Sequence, residues 1–374
     1  MRMAKVVNVL IVGMTATPGG VESFLMNYCY NRNMIGVHFD FLVPSNEKAA
    51  YSKEICQHSN IYYIVPKRAN PILHKKQLKA FFIKNIGTYS AVWANLNSLM
   101  NVDYLIAAKK VGVKRIIVHS HNSSNMGGSL QWLLHSFNKR RIGNIATDYW
   151  ACSEGAKRWF YPPYLRSQVK IIRNAIDITS YLFDAQKRKQ YRAELSMDGR
   201  RVIGHIGRLH FQKNQLFLLD IMKELVSEDD SYLLILIGIG PDEQKLRKRA
   251  MENGIESNVI FLGTQTDIGG WLSAFDVFVF PSFFEGLSIV CLEAQANGLP
   301  IVASTDAIND EGMINPNIHR LELNNNAEEW AEKIKQSIVE KRMPKDDVVK
   351  NFKQSHFEID SEAAKLAKSF RDME

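Results

Sequence analysis

Two carboxylates eight positions apart, Glu285 and Glu293, stand inside the stretch DVFVFPSFFEGLSIVCLEAQANGLPIVAS that runs from Asp276 to Ser304. The stretch reads as strand, loop, helix, turn, strand. DVFVF is a short apolar run of the kind a strand buried on both faces shows. Pro281-Ser282 ends it, Gly286 opens a helix, Gly298 and Pro300 close that helix, and IVAS is the next strand. Eight residues of helix rise about 12 Å, so both carboxylates are expected to line one groove about as long as a sugar diphosphate. Between them the backbone N–H groups of Gly286, Leu287 and Ser288 are expected to be free at the helix start, where anions and phosphate above all are bound. A second set lies upstream in RVIGHIGRLHFQKNQLFLLD, where a strand ends at Gly207, Arg208 and Lys213 follow, and a helix begins near Asn214. An arginine can grip a diphosphate in two places and a lysine acts as a point charge. Together they suit a reaction in which negative charge grows on a departing diphosphate.

Other residues need an element to position them before they mean anything. The first strand, Val6 to Val12, leads into GMTATPGGVESFLMNY, a loop with Gly19-Gly20 followed by an amphipathic helix from about Val21. The loop is not GxGxxG, so the dinucleotide fingerprint is absent. Two consecutive glycines beyond a strand still let a backbone approach a ligand closely. Strands recur over 37–43, 61–65, 90–94, 114–118, 148–152 and 170–173, with helical patterns between them. That alternation argues for parallel, doubly wound sheets with ligands beyond the carboxyl ends of the strands. The strand KRIIV ends in His119-Ser120-His121. A lone histidine is more often structural, but one at a strand end can hydrogen-bond a sugar hydroxyl while neutral. Further on come 232–237 with its Gly238-Ile239-Gly240-Pro241 turn, then 259–262 followed by Gly263-Thr264. Asp267 reads as the cap of the helix to Ala274. After residue 304 the pattern weakens to two helices, 327–341 and 360–372.

The string Phe-Glu-Gly-Leu-Ser, Leu-Glu-Ala, Gly-Leu-Pro-Ile-Val-Ala resembles the Glu-(seven residues)-Glu motif of the family 4 nucleotide-sugar glycosyltransferases, the glycosyl transferases group 1. Gly-Arg-Leu with Lys213 five residues beyond Arg208 matches the same family. Asn174-Ala175-Ile176-Asp177 stands where the family shows Asn-Gly-Val-Asp, with Ala175 in place of the glycine. The resemblance covers most of the chain and is specific over 200–305. It implies the glycosyltransferase-B fold: two Rossmann-like, doubly wound α/β domains with the active site in the cleft between them. The expected N-terminal, acceptor-side domain is 1–173 plus 358–374, because the family's last helix crosses back onto it. The expected C-terminal, donor-binding domain is 174–357. The implied reaction moves a sugar from a nucleoside diphosphate, with UDP the expected one, to an acceptor hydroxyl, retaining the anomeric configuration. By the resemblance Glu285 and His119 contact the donor sugar as the catalytic residues, with His121 the fallback for His119. Arg208, Lys213, Gly286, Leu287 and Ser288 hold the diphosphate, Glu293 the ribose, Gly263 and Thr264 the nucleobase side. Gly19 and Gly20 face the acceptor and the donor phosphates. No Asp-x-Asp occurs in the chain, so no metal and no cofactor is expected beyond the donor itself. The expected partners are the nucleotide sugar and a polysaccharide or lipid-linked acceptor of cell-surface or exopolysaccharide assembly.

Composition agrees with this without deciding it. A chain of 374 residues, 46% hydrophobic and 23% charged, can build two cores. The net charge of +8 favours phosphorylated ligands or anionic surfaces. Four unpaired-looking cysteines argue against a disulfide framework or zinc site and suit a cytoplasmic protein. The opening MRMAKVVNVLIVGM is short, carries Asn8 and runs into a glycine turn, so it reads as a strand rather than a leader. No apolar run is long enough to span a bilayer. The basic segment 67–84 is an ordinary surface helix first, and is also compatible with contact at the inner membrane face. KRWFYPPYLR, 157–166, is too short and isolated to suggest nucleic acid, and reads as a packed loop or acceptor-side surface. Two rival functions remain: a sugar-nucleotide epimerase of the same fold, and a degenerate non-catalytic sugar-nucleotide-binding protein.

Overall fold

The computed structural model describes residues 6–122, 128–285 and 287–372. The chain packs as two units, Met1–Ala175 with Ile359–Glu374, and Ile176–Glu358. In the first, seven parallel strands form one sheet: β1 (Val7–Val12), β2 (Val37–Val43), β3 (Ile61–Tyr63), β4 (Ala91–Leu96), β5 (Arg115–Ser120), β6 (Asp148–Ala151) and β7 (Lys170–Ile171), in the order β3-β2-β1-β4-β5-β6-β7. The central strands are mostly apolar because helices cover both faces. One core lies under the helix Asp103–Lys110, and the other under the helices Gly20–Cys29 and Ile359–Arg371. Phe370 of the last helix meets the rings of Phe39, Trp93 and Trp150, and the Arg115 guanidinium donates to the Ser369 carbonyl at 2.8 Å.

The second unit holds β8 (Arg201–Ile206), β9 (Tyr232–Ile237), β10 (Val259–Phe261), β11 (Val277–Phe280), β12 (Ile301–Ser304) and β13 (Ile318–Leu321) in the order β10-β9-β8-β11-β12-β13, all parallel. In each sheet the order reverses once, between β1 and β4 and between β8 and β11. Such a switch point splays the two following loops apart and leaves a crevice at the carboxyl ends of the strands. The chain enters and leaves this unit side by side, the Ile176 N–H donating to the Phe357 carbonyl at 3.0 Å.

The helix Ala185–Glu194, although rich in charged residues, is pinned to the sheet. Arg188 and Arg192 both pair with Asp276, and the Val202 N–H donates to the same carboxylate at 2.8 Å. Asp276 thereby fixes the start of β11 beside β8. Asp267 caps its helix as expected, accepting from the Gly270 N–H at 3.1 Å. No helix among the described residues is long and apolar enough to cross a membrane.

Candidate active site

The switch point of the second unit gathers the charged residues that the sequence singles out. Lys213 closes a short turn, Phe211–Lys213, beyond β8, and Glu285 follows β11. Lys213 Nζ donates to Glu285 Oε1 at 2.7 Å, and both side chains are largely buried. The same ammonium lies 4.7 Å from the centroid of Phe280, so an aromatic face holds it on its other side. The two loops are sewn together at Gln212: the Phe283 N–H donates to the Gln212 carbonyl at 2.9 Å and the Gln212 side-chain amide to the Phe284 carbonyl at 2.9 Å. Arg208 is exposed, and its side chain makes no hydrogen bond or ion pair among the described residues.

What holds the Arg208 loop was not among the residues expected from sequence. His205 on β8 is fully buried, with Nδ1 against the Val279 carbonyl of β11 at 2.9 Å and Nε2 against the Gln215 amide at 3.3 Å. The Gln215 amide also donates to the Arg208 carbonyl at 2.9 Å. Burial holds the imidazole down to about 4, so it is neutral, giving one proton to Val279 and accepting one from Gln215. From the other side the loop is backed by the turn after β9. The Leu209 N–H donates to the Ile239 carbonyl at 3.1 Å, and a Cβ placed on Gly238 or Gly240 would lie 2.1 Å from the Gly207 or Leu209 carbonyl oxygen. Only glycine permits that approach.

The helix after Glu285 starts later than the sequence suggests. It runs Ile289–Ala296 with Ser288 as its N-cap. Gly286 lies outside the described residues. Leu287 and Ser288 form the approach to the helix rather than its first turn, and the orphan amides are those of Ile289, Val290 and Cys291. Glu293 therefore sits little more than one turn inside, not two turns from Glu285. It is not a solvated group: burial raises its carboxyl to about 7, against the opposing hydrogen bond of Tyr181. Cys291 in the first turn is buried, which pushes its thiol up to about 12 and makes it inert. Gly263 follows β10 in the left-handed region, φ 62°, its carbonyl engaged by the Gly238 N–H at 2.8 Å, and Thr264 beside it is exposed.

In the first unit Gly19 and Gly20 open the helix Gly20–Cys29 beyond β1. Glu22 ties their loop down, accepting from the Thr15 N–H at 2.9 Å and the Thr15 hydroxyl at 2.8 Å. The expectation for His119 needs correcting. β5 runs to Ser120, two residues past the expected end, so His119 is a strand residue. It is fully buried between Phe24, Trp93 and Trp150, with neither ring nitrogen in a hydrogen bond of good geometry. The Ile172 backbone is near enough only to oppose weakly the fall in its pKa that burial causes. His121, one residue past the strand, is half-buried and pairs through Nε2 with Asn95 Oδ1 of β4 at 2.9 Å. Through Asn95 it reaches β4, one of the two strands that flank the switch point of this sheet. Asn95 also presses on β1: a Cβ on Gly13, φ 120°, would lie 1.9 Å from its carbonyl oxygen.

Comparison with known proteins places this arrangement. The model of the family "Glycosyl transferases group 1" matches residues 200–339. EpsF of Bacillus subtilis, named as a glycosyltransferase, is 33% identical over 347 residues, covering 89% of this chain and 88% of EpsF. An Escherichia coli UDP-Gal:alpha-D-GlcNAc-diphosphoundecaprenol alpha-1,3-galactosyltransferase is 29% identical over 142 residues, 37% of this chain and 36% of that protein. Among solved structures, HepE of Anabaena in complex with UDP and glucose superposes with a TM-score of 0.78 at 19% identity, over 98% of this chain and 100% of HepE. WaaG, a glycosyltransferase involved in lipopolysaccharide biosynthesis, does so with 0.65 at 14% identity, over 97% of this chain and 99% of WaaG. With the relationship to EpsF spanning nearly the whole of both chains, and both sheets wound as in these structures, the protein belongs to the glycosyl transferases group 1 family and is a hexosyltransferase-type glycosyltransferase of the glycosyltransferase-B fold.

Proposed function

We propose that this glycosyltransferase moves a hexosyl group from a UDP-sugar to a hydroxyl of a lipid-linked or polysaccharide acceptor in cell-surface or exopolysaccharide assembly, with retention at the anomeric carbon. The observation that carries the proposal is the Lys213–Glu285 ion pair at the β8/β11 switch point, with an exposed Arg208 whose side chain has no partner among the described residues. The bond that breaks joins the anomeric carbon to the distal phosphate oxygen, and the diphosphate leaves with the electron pair. The acceptor oxygen bonds to the same carbon, and its proton goes to the departing phosphate. Lys213 has three donors and can keep Glu285 while giving another to that phosphate. Arg208 grips a second oxygen, and the amides beyond Ser288 supply a third contact. Glu285 then faces the sugar, Glu293 the ribose hydroxyls, and Gly263-Thr264 the base. On the other unit, His121, one residue past β5 and held by Asn95, is the candidate sugar-contacting histidine in place of His119. Two cations in place of an Asp-x-Asp clamp make the transfer metal-independent. UDP named with HepE, and UDP-Gal and a diphosphoundecaprenol acceptor named for the E. coli relative, support the donor and acceptor classes.

Thermal unfolding with UDP, GDP and ADP, each with and without EDTA, tests the donor half. A ligand at about 100 times its dissociation constant adds about 2.7 kcal/mol. The expected result is a rise with UDP alone, unchanged by EDTA and lost in Arg208→Ala. A rise that EDTA abolishes, or one with GDP or ADP in place of UDP, overturns that part. Proton NMR of the first product, against an α-linked donor, reads the configuration, and a β-linked product overturns retention.

A further inference from the structure

The helix Ser129–Arg141 is built inside out. Its buried side is polar: His135 Nδ1 accepts from the Leu99 N–H at 3.1 Å, the Asn138 amide donates to the Leu99 carbonyl at 2.7 Å, and the Gln131 amide to the Ser98 hydroxyl at 3.3 Å. Its outer side is apolar. Leu130, Leu133 and Phe137 are each more than half exposed, at a spacing that puts them on one stripe, with Leu134 at its edge and exposed Trp132 on the flank. The helix Pro71–Lys84 differs: it buries Leu78 and Phe82 along with His74, and exposes Lys75, Lys76 and Lys79 together with Ile72 and Ile83. Polar anchoring of the inner face leaves the apolar stripe no partner among the described residues, and such patches mark interaction surfaces.

The charges around the stripe choose the partner. The helix ends in Lys139, Arg140 and Arg141 and contains no carboxylate. The Arg141 guanidinium lies 5.1 Å from the Phe137 ring, and exposed Tyr164 donates its hydroxyl to the Arg140 carbonyl at 3.3 Å. Exposed Arg158 and the nearby Arg166 extend the same sign, Arg166 donating to the Arg158 carbonyl at 2.7 Å. Leucines and phenylalanine flanked by a tryptophan, a tyrosine and a cluster of cations match the interface of an anionic bilayer, with rings at headgroup depth and cations on lipid phosphates. A second copy of the chain would bring the same cations with no carboxylate to meet them. We propose that the outer face of Ser129–Arg141, with Tyr164, is the surface by which this protein docks on an anionic lipid bilayer. This deepens the reading above, which sets a lipid-linked acceptor at a membrane, and it moves the membrane contact from the helix at 71–84 to this one.

Vesicle co-sedimentation with phosphatidylcholine alone and with phosphatidylcholine mixed with phosphatidylglycerol tests it. The full chain is compared with Leu133→Ser/Phe137→Ser, with Arg140→Ser/Arg141→Ser, and with Lys76→Ser/Lys79→Ser as the control on the other helix. All four substituted side chains in the first two variants are exposed, and UDP-induced thermal stabilisation checks in each that the fold and donor site persist. The expected result is binding to the phosphatidylglycerol vesicles that weakens about tenfold or more in the first two variants and is unchanged in the control. Absence of vesicle binding by the unsubstituted chain overturns the proposal. So does equal binding by the variants, or a dimer in light scattering that the first two variants dissociate. Vesicle binding is read without nucleotide, so a failure to bind UDP would sink the donor assignment and leave this result legible.

Discussion

Lys213 and Glu285 stand 72 positions apart in sequence, and each is the other's counter-charge in a largely buried place. Truncating one therefore does two things: it removes a group from the reaction, and it leaves a charge without its partner. A fully buried pair broken this way costs about 3–5 kcal/mol, and partial exposure here lowers that to about 1–3 kcal/mol. Lys213→Met and Glu285→Gln are each expected to cut turnover about a hundredfold or more and to lower the unfolding free energy by that amount. The double variant is expected to regain most of the stability and none of the turnover. Urea unfolding and initial rates on the three proteins check this, and a double variant less stable than both singles would sink the pairing argument. Gly240 makes a different kind of demand. Gly240→Ala sets a Cβ 2.1 Å from the Leu209 carbonyl oxygen, so the loop carrying Arg208 must shift. We expect UDP affinity to fall about tenfold while secondary structure by circular dichroism is kept, because the misplaced group is one loop and not a core.

At the scale of elements, the loop bearing Arg208 is positioned by a relay that crosses three of them: the Val279 carbonyl on β11, His205 on β8, and Gln215 in the first turn of Gln215–Glu228. Gln215→Leu keeps the shape and strips both bonds, leaving His205 Nε2 and the Arg208 carbonyl unsatisfied. That is expected to cost about 1–3 kcal/mol of stability and to raise the KM for the donor more than it lowers kcat, since it misplaces a binding group. Equal KM in steady-state kinetics would show that the relay is only structural. This relay was out of reach of the sequence, because nothing in the spacing of His205, Gln215 and Val279 says that β11 inserts beside β8. The strands themselves were legible, as buried parallel strands are continuous apolar runs bounded by turn residues. Their ends were less so: polar His119 and Ser120 look like a loop but still pair with β4 and β6. β13 was missed because only Ile318 of its four residues is fully buried. The start of Ile289–Ala296 differs because Gly286 is a helix-boundary signal in the sequence, whereas the N-cap is Ser288, itself in an extended conformation. Ser129–Arg141 escaped notice for the opposite reason, since its apolar stripe reads as core until the structure turns it outward.

At the scale of the whole molecule, buried ionisable groups divide unequally between the two units, and acid should therefore reach one before the other. Met1–Ala175 with Ile359–Glu374 holds His119, well below its ordinary pKa, His121, lowered to about 3, and His135, lowered to about 4. Burial is the leading cause in all three, with the neighbouring histidine adding to it for His119 and Lys139 for His135. A histidine depressed in the folded state refuses a proton that the unfolded chain accepts near 6.5. Its contribution is thus complete above pH 6.5 and is lost as pH falls from there towards the folded value, by about 1.4 kcal/mol per pH unit for each. Ile176–Glu358 holds one such group, His205, lowered to about 4, and one of opposite sign, Glu293, raised to about 7. A raised carboxyl keeps its proton when folded, so it favours folding below about 4.5 and loses that contribution as pH rises through 7. Between pH 6.5 and 5 the two nearly cancel, while the first unit loses up to about 1.4 kcal/mol per pH unit from each of buried His119 and His135, and less from half-buried His121. Each unit has its own buried clusters, which allows separate unfolding transitions. Calorimetry at pH 7.5 and pH 5.5 should show one transition falling steeply and the other nearly fixed. His135→Gln should make the falling one less steep, and UDP should raise only the fixed one. Two transitions that move in parallel, or a steeper fall in the one that UDP protects, would contradict this distribution of buried charge.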